Sequence, residues 1–456
     1  MSRVRAGVIA LMALVGGCSA GATPELNTVG TDGVIPTVAT LGPNQGAPSS
    51  VDSTSKPAVT TTVLGRTAAS EPGGAPSSKP LAARTIDARP EGQVVTLGLA
   101  PSVARALREL RELVVGFDAV LPFLPIPKLN IYAETGAGNL SPKVRDIASR
   151  VYVPNSDAGT VTVIDPATMQ VVATYRVGGQ PHHIVPSWNL STLYVLDTTG
   201  NRLIPIDPRV GAPGTPIPVT DPYNLYFRPD GREAIVVAER LQRLDIRDPQ
   251  SWELLASISV PHAGVNHGDF SPDGRYFTVS CEFSGWVAII DLDTRKIVRE
   301  RRVGSEPIDV RFSPDASTLY IADQARGGVI VADPNTLDEL GFLPTGAGAH
   351  GLYPSRDGSK LYVSNRLASS VSVIDFATRQ IAATWRIPGG GSPDMGGVST
   401  DGSQLWLAGR YHGAVYVFDT ATGGLIAKLG AGAGAHGLSI FPQPGRYSMG
   451  HTGNYR

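Results

Sequence analysis

Short runs of apolar, β-branched and aromatic residues recur through residues 150–440, separated by Gly, Pro, Asp and Asn. One set begins at Val151, Leu193, Ala234, Tyr276, Leu319, Leu361 and Leu405. Each run has strand length and is bounded by turn residues, so the spacing predicts β-structure throughout. A second set ends in aspartate, at Asp165, Asp207, Asp248, Asp291, Asp333, Asp375 and Asp419. The steps between these aspartates are 42, 41, 43, 42, 42 and 44 residues. A period near forty in all-β sequence means a propeller or solenoid, with one small sheet per repeat.

Each repeat supplies four strands. The first strands start near His183, Asn224, His267, Asp309, His350, Met395 and His436, and precede turns such as "SPDG" at 271–274. Pro and Gly suit the second and fourth positions of a type I turn. The chain enters at the second strand of one blade and leaves after a first strand. The expected fold is therefore an all-β, seven-bladed propeller over 150–441, closed by pairing of its N- and C-terminal strands. A tail, 442–456, either folds back across one face or stays disordered.

The front of the chain sets the expected location. Residues 1–17 have a basic start, Arg3 and Arg5, and an apolar run too short to span a bilayer comfortably, so they read as a processed signal peptide. "VGGC" resembles a bacterial lipobox, which implies cleavage before Cys18, lipidation of its sulfur and tethering to the cell envelope. Residues 18–92 are rich in Ser, Thr, Pro, Gly and Ala and read as a flexible tether. The lead-in, 93–149, carries one short helix at 102–116, by the spacing of Ala104, Leu107, Leu110, Leu113 and Val114. Cys281, the second of two cysteines, has no disulfide partner and reads as an inert strand thiol. With 39 basic and 40 acidic residues, no basic excess is present to hold nucleic acid. The expected partners are the membrane, through Cys18, and an envelope protein or small-molecule ligand.

The repeat resembles the YVTN family of β-propellers, carried here by "LYVSN", "SVSVIDFAT" and "SPDG". It is also similar to the propellers of haem d1 nitrite reductases, nitrous oxide reductases and amine dehydrogenase heavy chains. The resemblance implies the fold and leaves the activity open.

Candidate chemistry gathers at one place. The starts of the first strands face one mouth of the central channel, and five of the eight histidines fall there. The aligned positions offer His182, His183, Asn224, His267, Asp309, His350, Asp394, Met395 and His436 as mouth residues. His350 and His436 sit one step earlier than His183 and His267, a difference that a bulge at "AHGL" could absorb. His183, His267, His350 and His436 form the candidate metal set. Imidazoles suit copper or zinc, Met395 favours copper, and Asp309 and Asp394 suit zinc or a harder ion. The bland alternative is that these histidines bond channel water and backbone. The leading expectation is an envelope binding module without catalysis; a copper or zinc redox protein and a divalent-ion lyase or lactonase are the alternatives. Arg410, Tyr411 and His412 are expected on the face opposite the ring, Glu282 as a solvated turn residue, and His262 as a further ligand from a loop.

Overall fold

The computed structural model describes residues 129–451 and 453–456. The signal, the tether, Cys18 and the 102–116 helix lie outside the described residues. The repeats form seven sheets. Six of them begin with the strands at Pro181, Asn224, Val265, Pro307, Ala349 and Pro393 and run outward in chain order. The first sheet holds Arg150–Asn155, Thr160–Asp165 and Gln170–Arg176. It takes its innermost strand from the far end of the chain: Ser439–Phe441 pairs antiparallel with Arg150–Tyr152.

Burial orders the strands radially. The inner strands are wholly buried, as in Pro181–Pro186, whereas outer strands such as Lys296–Arg302 are mostly exposed. Seven apolar clusters hold the ring, each spanning one pair of adjacent blades. Both faces of a blade are thus covered, and this is why its second and third strands are continuously apolar. The repeated aspartates have a local cause. Asp165, Asp248, Asp333 and Asp419 accept backbone N–H groups two or three residues on, closing the turn to the fourth strand.

Two features of the inner strands shape the channel. Five of them carry a one-residue bulge at the same place, including Pro181–Ile184, Val265–Gly268 and Ala349–Leu352. The bulge is therefore no special device of "AHGL" and does not realign the histidines. His182, His350 and His436 share one position, and His183 and His267 share the next. The second feature is the tail. Ser448–Gly450 adds to the axial edge of Asn224–Phe227, and Asn454–Tyr455 pairs back on it, giving a sheet of six strands. Arg456 donates to Asp269 Oδ1 (3.2 Å) and lies 4.8 Å from the centroid of Tyr132. Asp269 lies at the end of its inner strand, away from the histidines, so the tail fills the channel from the opposite side.

Candidate functional site: a histidine cluster at the channel mouth

The inner strands start at the mouth, and the second strands return to it. Each turn after a second strand therefore lies on the same face as the histidines. This corrects the expectation for Arg410, which sequence order alone placed on the opposite face: its Nη1 donates to Ser156 Oγ (3.2 Å), itself 3.5 Å from His182 Nδ1. The residue after each second strand forms an outer annulus over the inner one. It reads Ser156, Thr198, Glu239, Glu282, Gln324, Arg366 and Arg410 around the ring.

The inner annulus brings six imidazoles together, all at least nine-tenths buried: His182, His183, His267, His350, His436 and His451. Their rings touch, with centroids 4.2 Å apart for His182 and His436 and 5.3 Å for His183 and His267. Burial pushes all six down, His183 to about 4, so each is neutral near pH 7.

Hydrogen bonds assign the tautomers. His183 Nδ1 lies 2.9 Å from the carbonyl of Tyr223, which can only accept, so Nδ1 carries the hydrogen and Nε2 the lone pair. His436 Nδ1 donates to Asp394 Oδ2 at 2.6 Å, and its buried Nε2 has no partner among the described residues. Ser156 spends its hydroxyl hydrogen on the Pro181 carbonyl (2.9 Å), so His182 Nδ1 is the donor toward Ser156 Oγ. His182, His183 and His436 thus each carry an Nε2 lone pair, that of His183 accepting from His267 Nε2, and one ring nitrogen from each lies within 4.8 Å of the others. A triangle with edges no longer than 4.8 Å has a point within about 2.8 Å of all three corners (4.8/√3). Closing to zinc–imidazole distances of roughly 2.0–2.1 Å takes side-chain shifts under about 1 Å.

A second group, His183, His267 and His451, is equally close but differently protonated. His267 Nε2 lies 3.2 Å from the His183 Nε2 lone pair and donates to it. Asn224, oriented by the Leu225 N–H on its Oδ1, donates to His451 Nδ1 (3.0 Å), leaving the hydrogen on Nε2. This group offers one lone pair and two N–H bonds.

The four histidines of the sequence-based metal set are therefore divided. His183 and His436 join His182; His267 faces His451; and Arg366 donates to His350 Nε2, taking its lone pair. Met395 Sδ is an acceptor for His350 (3.0 Å) and Tyr353 (3.5 Å). Asp309 accepts from the N–H groups of Val310 and Leu352, both at 2.9 Å, so its oxygens serve the backbone. Asp394 is the hub: it accepts from Arg366 (2.6 and 3.0 Å) and His436, and its Oδ1 lies 3.2 Å from His350 Nδ1. His262 stacks on Trp286 and pairs with Glu300 at 3.0 Å, outside the cluster. Glu282 is half-buried and accepts from Asn266 (2.6 Å), rather than being a solvated turn residue. Burial and, for Glu239, the neighbouring Glu282 raise the two carboxyls to about 8 and 7. Cys281 is fully buried and its thiol is pushed up to about 12 by burial, consistent with an inert side chain.

A family model described as YNCE-like β-propeller matches residues 110–444. The chain belongs to this family. Among relatives of the YNCE-like propeller, the dihydro-haem d1 dehydrogenase of Pseudomonas aeruginosa is 25% identical over 187 residues, 41% of this chain. That match covers 34% of the relative, so the chain spans about a third of its length. Three solved structures share the fold. Hydrazine synthase of Kuenenia stuttgartiensis has TM-score 0.53 and 19% identity, covering 63% of this chain and 97% of that one. A functionally unknown protein of Desulfotomaculum acetoxidans has 0.55 and 15%, covering 64% and 98%. A dihydro-haem d1 dehydrogenase in complex with DHE has 0.52 and 16%, covering 70% and 84%.

In the YNCE-like propeller the cluster depends on close backbone approach. A Cβ on Gly437 would lie 2.4 Å from His183 Cδ2 and 2.7 Å from the His182 carbonyl oxygen. Gly437→Ala is expected to cost about 1–3 kcal/mol and to displace His183. Thermal melts of the two proteins check this; equal midpoints would mean that the inner strands yield freely.

Proposed function

We propose that this propeller is an envelope-tethered metal-binding module, holding one copper or zinc ion on His182, His183 and His436. One observation carries the reading: three neutral buried imidazoles carry Nε2 lone pairs while acceptors hold their Nδ1 hydrogens, and an entering ion displaces only the His267 N–H from His183. An acceptor behind each ligand, with Asp394 behind His436, is how proteins orient metal-binding histidines. A set of three nitrogens with no carboxylate suits copper or zinc better than a hard ion, which disfavours the lyase and lactonase alternatives. The haem d1 in the relatives' names is not carried over, because rings 4.2–5.3 Å apart leave no slot for a macrocycle between them. The lipobox-like "VGGC" and the Ser/Thr/Pro-rich segment support anchoring at the cell envelope through Cys18. A redox or a storage role follows from the metal; an envelope protein is its natural partner.

Elemental mass spectrometry after copper or zinc loading tests this. About one ion per chain is expected, lost in His436→Gln and His182→Gln and kept in His350→Gln, whose lone pair Arg366 already occupies. No metal in the unaltered chain, or equal metal in all variants, would sink the proposal.

A further inference from the structure

Three protein ligands leave a position open on the metal, as in catalytic sites that add a water or substrate. His182 is the most exposed of the triad, at 8%, which puts it on the solvent side of the cluster. The outer annulus there is divided by charge, with Glu239 and Glu282 on one side and Arg366 and Arg410 on the other. The two arginines differ. Arg366 is consumed by Asp394 and His350. Arg410 is half-buried, and among the described residues it has no carboxylate partner. Its contacts are Ser156 Oγ at 3.2 Å and the Gly434 carbonyl at 3.5 Å, both through Nη1. Its other N–H groups meet no acceptor among the described residues.

We infer that the fourth ligand of the metal is a small oxyanion, a carboxylate or a phosphate, gripped from the side by Arg410. An arginine offers several N–H donors in a planar fork that matches two oxygens of one anion. Ser156 holds both Arg410 and His182, so the guanidinium is set one hydroxyl away from a metal ligand. The inference rests on the metal reading above and adds the ligand class and the residue that selects it.

The test is calorimetric titration of the zinc-loaded full chain with inorganic phosphate and, separately, with acetate. Binding of at least one is expected, and the stronger of the two identifies the anion type. Arg410→Gln is expected to weaken it 10- to 100-fold with zinc still near one per chain, the range for a lost charge-assisted hydrogen bond. Arg410→Lys, which keeps the charge and loses the fork, should fall between. Unchanged anion affinity in Arg410→Gln would overturn the inference and leave the metal reading standing. So would equal anion binding by metal-free protein. Zinc that never binds the unaltered chain would overturn the metal reading itself.

Discussion

Asp394→Leu is expected to cost about 3–5 kcal/mol of folding stability, lowering the melting midpoint of the metal-free protein by roughly 6–10 °C. Asp394 is fully buried and accepts from Arg366 and His436, with His350 Nδ1 3.2 Å from its Oδ1. Burial raises its carboxyl, but Arg366, then His350 and Arg410, outweigh that and hold it below the usual range. Removing it strands the buried guanidinium of Arg366, and an unpaired buried charge costs far more than the pair contributes. Arg366→Met combined with Asp394→Leu should therefore recover much of the loss. The same single variant removes the acceptor behind His436, so copper or zinc affinity should drop about 10- to 100-fold. Calorimetric melts and competition titrations measure the two effects separately. A melting midpoint within 1–2 °C of the parent, roughly the effect of an ordinary surface change, would refute the account of Asp394.

The second large effect is a stability maximum near pH 6.5 in metal-free protein. Below about 6.5 the unfolded chain protonates its histidines, whereas the folded channel holds His183 neutral to about 4 and the other five well below their usual value. The unfolded state then binds more protons, so stability is full above 6.5 and is lost as pH falls toward 4. His183 alone accounts for about 3 kcal/mol. The carboxyls act in the opposite sense. Glu239 and Glu282 keep their protons in the fold up to about 8 and 7, so their contribution is present below about 4.5 and is lost as pH rises through those values. Between 4.5 and 6.5 the two trends oppose, and six imidazoles outweigh two carboxyls. Denaturant unfolding at pH 4.5, 6.5 and 8.5 reads the profile. Glu239→Gln with Glu282→Gln should flatten the alkaline limb and leave the acid limb; a profile unaltered by that pair contradicts the assignment.

The propeller was legible because its signals are local and repeated. The aspartate after each third strand closes its own turn, so the period survives in the chain without any knowledge of tertiary contacts. The gathering of His183, His267 and His436 at one mouth was legible for the same reason, since inner strands all start on one face. Three things were not. Strand direction brings Arg410, Arg366 and Glu282 to that same mouth, which counting along a repeat does not show. His451 comes from the tail, which has no repeat to be aligned with. The roles of His182 and His350 depend on which atom faces each ring nitrogen, Ser156 in one case and Arg366 in the other, and neither contact is near in sequence.

The strand that shuts the ring also dates the site. Tyr152 pairs with Ser439, so the first sheet stays short of its inner strand until almost all of the chain has been made. Contacts that span so much sequence form slowly, because the intervening loop must close before they are rewarded. His436 leaves the ribosome three residues before that strand begins, about 250 residues after His183 has emerged. No nascent or truncated product can therefore assemble the triad. If the triad takes the proposed metal, only finished molecules can load it.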